Sequence, residues 1–348
     1  KTERECVAYG EKLAKAHGFE DLNAVIREGK KLEAGARVYV NWMGKSFMLF
    51  VLGEKPLEEG MNILGAHIDS PRIDVKQNPL YEDTDLAYLD THYYGGIKKY
   101  QWVAMPLALH GVIIKKNGEK VLVNIGEDEN DPVFCISDLL IHLAQEQMAK
   151  NAKDVVEGEA LNLIVGGRPL AGEEKDAVKA NVLKLLDAKY GVEEEDFLSA
   201  ELEIVPAGKA RDMGFDRSMI LGYGHDDRVC AYPSMMAVLD YEGTPDYTLC
   251  CIITDKEEIG SVGATGMASH YLENTVAELY ACTADYCELA VRRCLRNSRM
   301  LSSDVSAGYD PNFASAFEKK NSAFLGRGIC FNKFTGSRGK SGSNDANP

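Results

Sequence analysis

The chain has 348 residues, enough to bury a sizeable core and, by length alone, to form one large domain or two. It carries 54 Asp and Glu against 39 Lys and Arg, a formal net charge of -15, which argues against nucleic acid as a partner because phosphate binding needs clustered basic residues. Nine cysteines form an odd set without CxxC spacing, and no apolar stretch approaches a membrane span, so a soluble protein of a reducing, cytoplasmic compartment is expected.

Residues 1–18 read as an amphipathic helix rather than a cleaved signal. Val38-Tyr39-Val40 and Phe47-Met48-Leu49-Phe50-Val51-Leu52 then flank a turn at Gly44, and Met61-Asn62-Ile63-Leu64-Gly65-Ala66 is a short buried-strand run that ends at His67. From about Tyr93 the texture changes to paired strands, with residues 105–114 and 120–125 joined by Asn117-Gly118, a strong hairpin signal. A charged helix over residues 173–190, closed by Gly191, and an alternating strand over 200–205 follow.

Residues 219–224 read as a second buried strand, 229–241 as a helix despite Pro233, and 247–254 as a third strand. Strand, helix, strand with apolar strands predicts a mixed, mainly parallel sheet sandwiched by helices. The simplest organisation is an α/β domain of residues 1–90 and 215–348, interrupted by a β-rich module over 91–214. The stretch 335–348, rich in Gly, Ser and Asn, reads as a loop.

Four clusters place a metal-ligand side chain just beyond an apolar run: His67 with Asp69, His225-Asp226-Asp227, Glu257-Glu258, and Asp304. Singly, each is more often a cap or a surface residue. Together they offer imidazole and carboxylate, the set that suits zinc, manganese or cobalt, at the carboxyl edge where open α/β sheets hold their ligands. Asp69 can orient His67 through its second ring nitrogen, or merely cap the turn before Pro71. Neighbours in a strand point to opposite faces, so Glu257 and Glu258 converge only from a loop, for which Gly260 provides. One would then hold a metal while the other serves as general base.

The runs AHIDSPR, HDDR, DKEEIGS and SSDVSAGYDPNF resemble, in that order, the motifs of the aspartyl and vacuolar aminopeptidase family of zinc metallopeptidases. The resemblance implies two divalent metals, zinc before cobalt or manganese. It assigns His67 and Glu258 to the first metal, Asp304 to the second, and Asp227 rather than Asp226 to the bridge between them. Glu257 is then the general base and Asp69 the acid that orients His67. The stretch from Gly95 to Val112 resembles the opening of the family's β-rich dimerisation insertion. His142, by itself a helix-face histidine, matches a position that reaches into a neighbouring subunit's site. The implied partners are peptide substrates and copies of the same chain, as dimers built into a tetrahedral dodecamer.

Two departures stand out. No imidazole follows Asp304, where the family often has one, and no histidine follows His270, although the family carries a late Gly-rich segment with a Ser-Met-His ligand. The polypeptide is therefore expected to continue beyond Pro348, because a sheet short of its last strands leaves apolar edges bare. The implied activity is release of single N-terminal residues. An acidic side-chain preference would need a cation, for which Lys98, Lys99, Arg327 and Lys333 are equal candidates. The alternatives are a catalytically inactive scaffold and a two-metal carboxypeptidase or deacylase.

Overall fold

The computed structural model describes residues 1–334 and Ser343, so the stretch read as a loop over 335–348 lies, Ser343 apart, outside the described residues. The chain divides into a unit Lys1–Ser303 and a unit Asp304–Pro348. The first opens with α1 (Glu3–Ala16), started by a capping box in which the Thr2 hydroxyl accepts from the Glu5 N–H and the Glu5 carboxylate from the Thr2 N–H. Then come β1 (Glu20–Asp21), α2 (Leu22–Arg27), β2 (Arg37–Trp42), β3 (Ser46–Val51) and β4 (Met61–His67). A second group comprises β5 (Arg72–Asp83), β6 (Leu86–Tyr94), β7 (Leu107–Ile114), β8 (Lys120–Ile125), α3 (Gln145–Met148), β9 (Leu163–Gly166), α4 (Ala177–Tyr190) and β10 (Ala200–Pro206). The unit closes with β11 (Arg211–Met213), β12 (Met219–Leu221), α5 (His225–Leu239), β13 (Thr248–Thr254), α6 (Tyr271–Thr283), α7 (Glu288–Asn297) and β14 (Arg299–Ser302).

The expected mixed sheet is present, in the order β1-β2-β3-β13-β4-β14. Its two faces can be read residue by residue along β3. Phe47, Leu49 and Val51 enter the core shared with α1 and α5, whereas Met48 and Phe50 enter the core shared with α2, α6 and α7. Cys250 and Ile252 of β13 join one core, Cys251 and Ile253 the other. Burial on both faces is why these strands are continuous apolar runs. Both β13 and β14 run parallel to β4, with Thr254 opposite His67 and Ser302 opposite Gly65, so three carboxyl ends meet at one edge.

The second sheet is antiparallel throughout, in the order β8-β7-β10-β5-β6-β9, with α4 packed on its core. The paired strands begin at Arg72, ahead of the texture change near Tyr93. Helix α4 starts at Ala177 rather than at Glu173, because a Glu82 oxygen of β5 accepts the N–H groups of Val178 and Lys179 and so fixes the first turn. Gly191, at φ 61°, ends it as expected.

The expectation of a buried strand over 219–224 is not met. Strand β12 is exposed and pairs only with β11, in a separate two-stranded ribbon. The turn between them is local: Asp216 accepts from both the N–H and the hydroxyl of Ser218. That hairpin gives the apolar run a local partner. The segment before α5 is thus not a strand of the mixed sheet. Among the described residues, no helix is long and apolar enough to cross a membrane.

In the second unit, Tyr309 packs against Phe317 and Phe324, with ring centroids 5.6 and 5.4 Å away. Gly308 bridges Ala323 there.

Candidate metal centre

His67 is the last residue of β4 and is 3% exposed. Its Nδ1 lies 2.9 Å from the Asp69 carbonyl oxygen and 3.3 Å from Asp69 Oδ1. Both neighbours are acceptors, so Nδ1 serves as a donor and Nε2 is the ring nitrogen left to face a metal. Asp69 therefore orients the ring with its backbone as well as its carboxylate, and the backbone contact is the shorter.

On the other side, His67 Nε2 lies 3.1 Å from Asp226 Oδ1 and 3.9 Å from Glu257 Oε2. Asp226 stands at the start of α5, where it and Asp227 have non-helical backbone angles and the peptide between them is cis. The two side chains part company there. Asp226 meets the imidazole, while the fully buried Asp227 accepts from the His67 backbone N–H at 3.4 Å.

The acid pair follows β13 directly. Lys256 at φ 71° and Gly260 at φ 93° bracket a single 3-10 turn, Glu257–Ile259, which is the loop geometry two adjacent carboxylates need in order to converge. The turn is pinned to Asp69, whose Oδ1 accepts from Glu257 N–H and Oδ2 from Glu258 N–H, each at 3.1 Å. Tyr94 closes this set by donating to Asp69 Oδ2 at 2.7 Å. Burial alone would raise the Asp69 pKa, but the bonds from His67, Tyr94 and the Glu258 N–H hold it below the ordinary value, so it stays a carboxylate.

His67, Asp226 and Glu258 each bring one ligand-type atom within 4.8 Å of the others. Glu258 is pushed up to about 7, by burial first and then by Asp226, Asp69 and Glu257, with His67 opposing. Asp226 Oδ1 and Glu258 Oε1 are buried and have no hydrogen-bond partner among the described residues. Carboxyl groups crowded together beside an imidazole nitrogen are costly to ionise unless a cation is shared between them. The donor set therefore fits a divalent metal of the zinc class.

Two further expected site residues, Asp304 and His142, are both exposed. Asp304 is the first residue of the second unit, exposed, with its Oδ1 accepting from the Val305 N–H at 2.6 Å. His142 is exposed on the one-turn helix Ile141–Leu143 and joins none of the metal-type groups found among the described residues. The sequence favours Asp227 over Asp226 by resemblance alone, because two neighbouring aspartates differ only in where the backbone aims them. Tyr94 gave no signal, since its partner is distant in sequence.

The family model described as aminopeptidase I zinc metalloprotease (M18) matches residues 1–347. A relative from Clostridium acetobutylicum named a probable M18 family aminopeptidase 1 is 60% identical over 349 residues, spanning 100% of this chain and 75% of that relative. Two solved structures each match 100% of this chain and 75% of their own. The crystal structure of aminopeptidase I from C. acetobutylicum is 56% identical with a TM-score of 0.91, and that of an M18-family aminopeptidase from Thermotoga maritima is 41% identical with a TM-score of 0.92.

Proposed function

This chain belongs to the M18 family of aminopeptidase I zinc metalloproteases, and we propose that it releases single residues from free peptide N-termini at a two-metal centre built around His67. The observation that carries this reading is the convergence of His67, Asp226 and Glu258 within 4.8 Å, with the Glu257 carboxylate beside them. His67 Nε2 and Glu258 would hold one zinc ion, and Asp226 is the carboxylate best placed to be shared with a second. Asp227, the bridge implied by resemblance, also brings a ligand-type oxygen within 4.8 Å of a His67 ring nitrogen, while its Oδ2 accepts from the His67 N–H. When bound, the metals would polarise the scissile carbonyl and acidify water.

The chain's own residues do the rest. Glu257, with its side chain 46% exposed, reaches solvent and takes a proton from the attacking water as the new C–O bond forms. It then delivers that proton to the amine as the C–N bond breaks. Asp69 fixes the imidazole tautomer and holds the turn that carries both glutamates.

Elemental analysis of the full-length protein, alongside hydrolysis of free and N-acetylated Asp, Glu and Leu peptides, tests the proposal. About two metals per chain and cleavage of free N-termini alone are expected. Turnover of blocked peptides would instead identify a carboxypeptidase or deacylase, and absence of both metal and turnover an inactive scaffold. A preference for Asp and Glu is part of the proposal. Lys98 and Lys99 follow Gly95, where an added Cβ would come within 3.3 Å of Glu258, so cations lie close in sequence to the site. Faster turnover of the Leu peptide would overturn that part.

We also assign residues 91–214 to a dimerisation module. Leu139, Leu140, Ile141 and Leu143 around His142 are 46, 55, 67 and 67% exposed, an apolar run that suits contact with a second copy. Sedimentation of the full-length protein as a monomer would refute it.

A further inference from the structure

We infer that Tyr94, the last residue of β6 in the antiparallel sheet, is a positioning residue for the metal centre and acts through Asp69. The inference rests on the reading of His67 and Glu258 as metal ligands and adds to it a residue that contacts neither. Asp69 is 0% exposed, and its side chain is bonded both to the imidazole and to the backbone of the glutamate turn. Its Oδ1 serves His67 Nδ1 and the Glu257 N–H, and its Oδ2 serves the Glu258 N–H and the Tyr94 hydroxyl.

The Tyr94 bond is the shortest of the four, at 2.7 Å against 3.1 to 3.3 Å, and the only one that comes from outside the site's own segments. Without it, Oδ2 keeps a single long bond in a buried place. A buried carboxylate short of donors turns to find others, and any rotation of Asp69 moves ring and turn together.

The phenol is itself held in place. Tyr94 is 7% exposed, the Arg72 guanidinium carbon lies 3.8 Å from its ring centroid, and Lys256 Nζ lies 5.4 Å away over the same ring. Arg72 is in turn fixed by Glu3, Asp74 and Glu203. Directly after Tyr94, Gly95 at φ +76° lies so close to the site that a Cβ there would stand 3.3 Å from Glu258 Cβ. The end of β6 thus reaches the centre through a hydrogen bond to Asp69, and Gly95 just behind it leaves little room for a side chain beside Glu258.

The test is Tyr94→Phe in the full-length protein, which keeps the ring and its stacking and removes only the donor. Zinc affinity, read by competition with a chelating dye, should fall about tenfold or more, in the range of about 10–100-fold seen when partners of metal ligands are removed. kcat should fall while KM holds, because no substrate contact is removed. Asp69→Asn should abolish the effect, so that adding Tyr94→Phe in that background changes zinc affinity no further.

Unchanged zinc affinity and kcat in Tyr94→Phe would overturn the inference. So would losses that merely follow the folded fraction of the metal-free protein, or full additivity with Asp69→Asn. Failure of the wild-type protein to bind zinc would instead overturn the functional reading on which the inference rests.

Discussion

Two of the clusters of carboxylate-rich, ligand-type side chains among the described residues have opposite meanings. His67, Asp226 and Glu258 form one; Glu3, Glu201 and Glu203 form the other, with ligand atoms equally within 4.8 Å. The second contains its own cations. Lys45 pairs with Glu3 at 3.0 Å and with Glu201, Arg72 pairs with Glu203 at 3.4 Å and Glu3 at 3.5 Å, and Arg4 pairs with Glu201. Burial would raise Glu3, but Arg72 and Lys45 bring it down to about 2, while burial and Glu3 push Glu203 well up. Three basic side chains thus supply counter-charge within that cluster. In the first, neither Asp226 nor Glu258 has a Lys or Arg ion pair among the described residues, and Glu258 is raised. A group of acids signals a metal when its counter-charge is missing from the fold.

The sharpest way to break the comparison is at Glu257. Glu257→Gln should lower kcat by about 10²–10⁴-fold with zinc still bound, and near-normal turnover would remove it as the base. Lys45→Met should cost about 3–5 kcal/mol in denaturant unfolding, because it leaves buried carboxylates without their partner, while zinc affinity changes little. If zinc rescued the Lys45→Met stability, the two clusters would not differ as argued. Asp226→Asn should weaken zinc by about tenfold or more, roughly 1.4 kcal/mol, and by more than Asp227→Asn does. The reverse order in the dye competition would restore Asp227 to the bridging role.

How legible all this was in the sequence follows from where each signal lies. Strands β3, β4 and β13 announce themselves because burial on both faces leaves no polar position. The hairpin β5–β6 is silent. Its register shifts between Val75 and Leu80, and its turn uses Thr84 and Asp85 at φ 48° and 60° in place of the Asn-Gly that marks β7–β8. At the site, His67, Asp69 and the glutamate pair were legible because each follows an apolar strand end directly. Asp226 was not separable from Asp227, since residue type is the same and only backbone conformation chooses. Tyr94 reaches Asp69 from the other sheet, a contact no local pattern encodes.

The smallest expected effect is also the most direct check on the missing counter-charge. Glu258 has an ordinary pKa of 4.5 and is held at about 7 in the metal-free fold by burial and by its acidic neighbours. Between those values the folded chain keeps a proton that the unfolded chain releases, so the contribution to stability is fully present below 4.5 and is lost as pH rises through about 7. The metal-free protein should therefore melt at a progressively lower temperature from pH 5 to 8, relative to a Glu258→Gln variant, which has no proton to lose. Zinc should invert the trend, because it binds only the ionised carboxylate and its stabilisation grows as the proton leaves. The half-exposed position of Glu258 keeps the shift small, since solvent screens the repulsion. Parallel melting curves for the two metal-free proteins across that range would mean that some cation of the fold already balances the site, and the distinction between the clusters would fall.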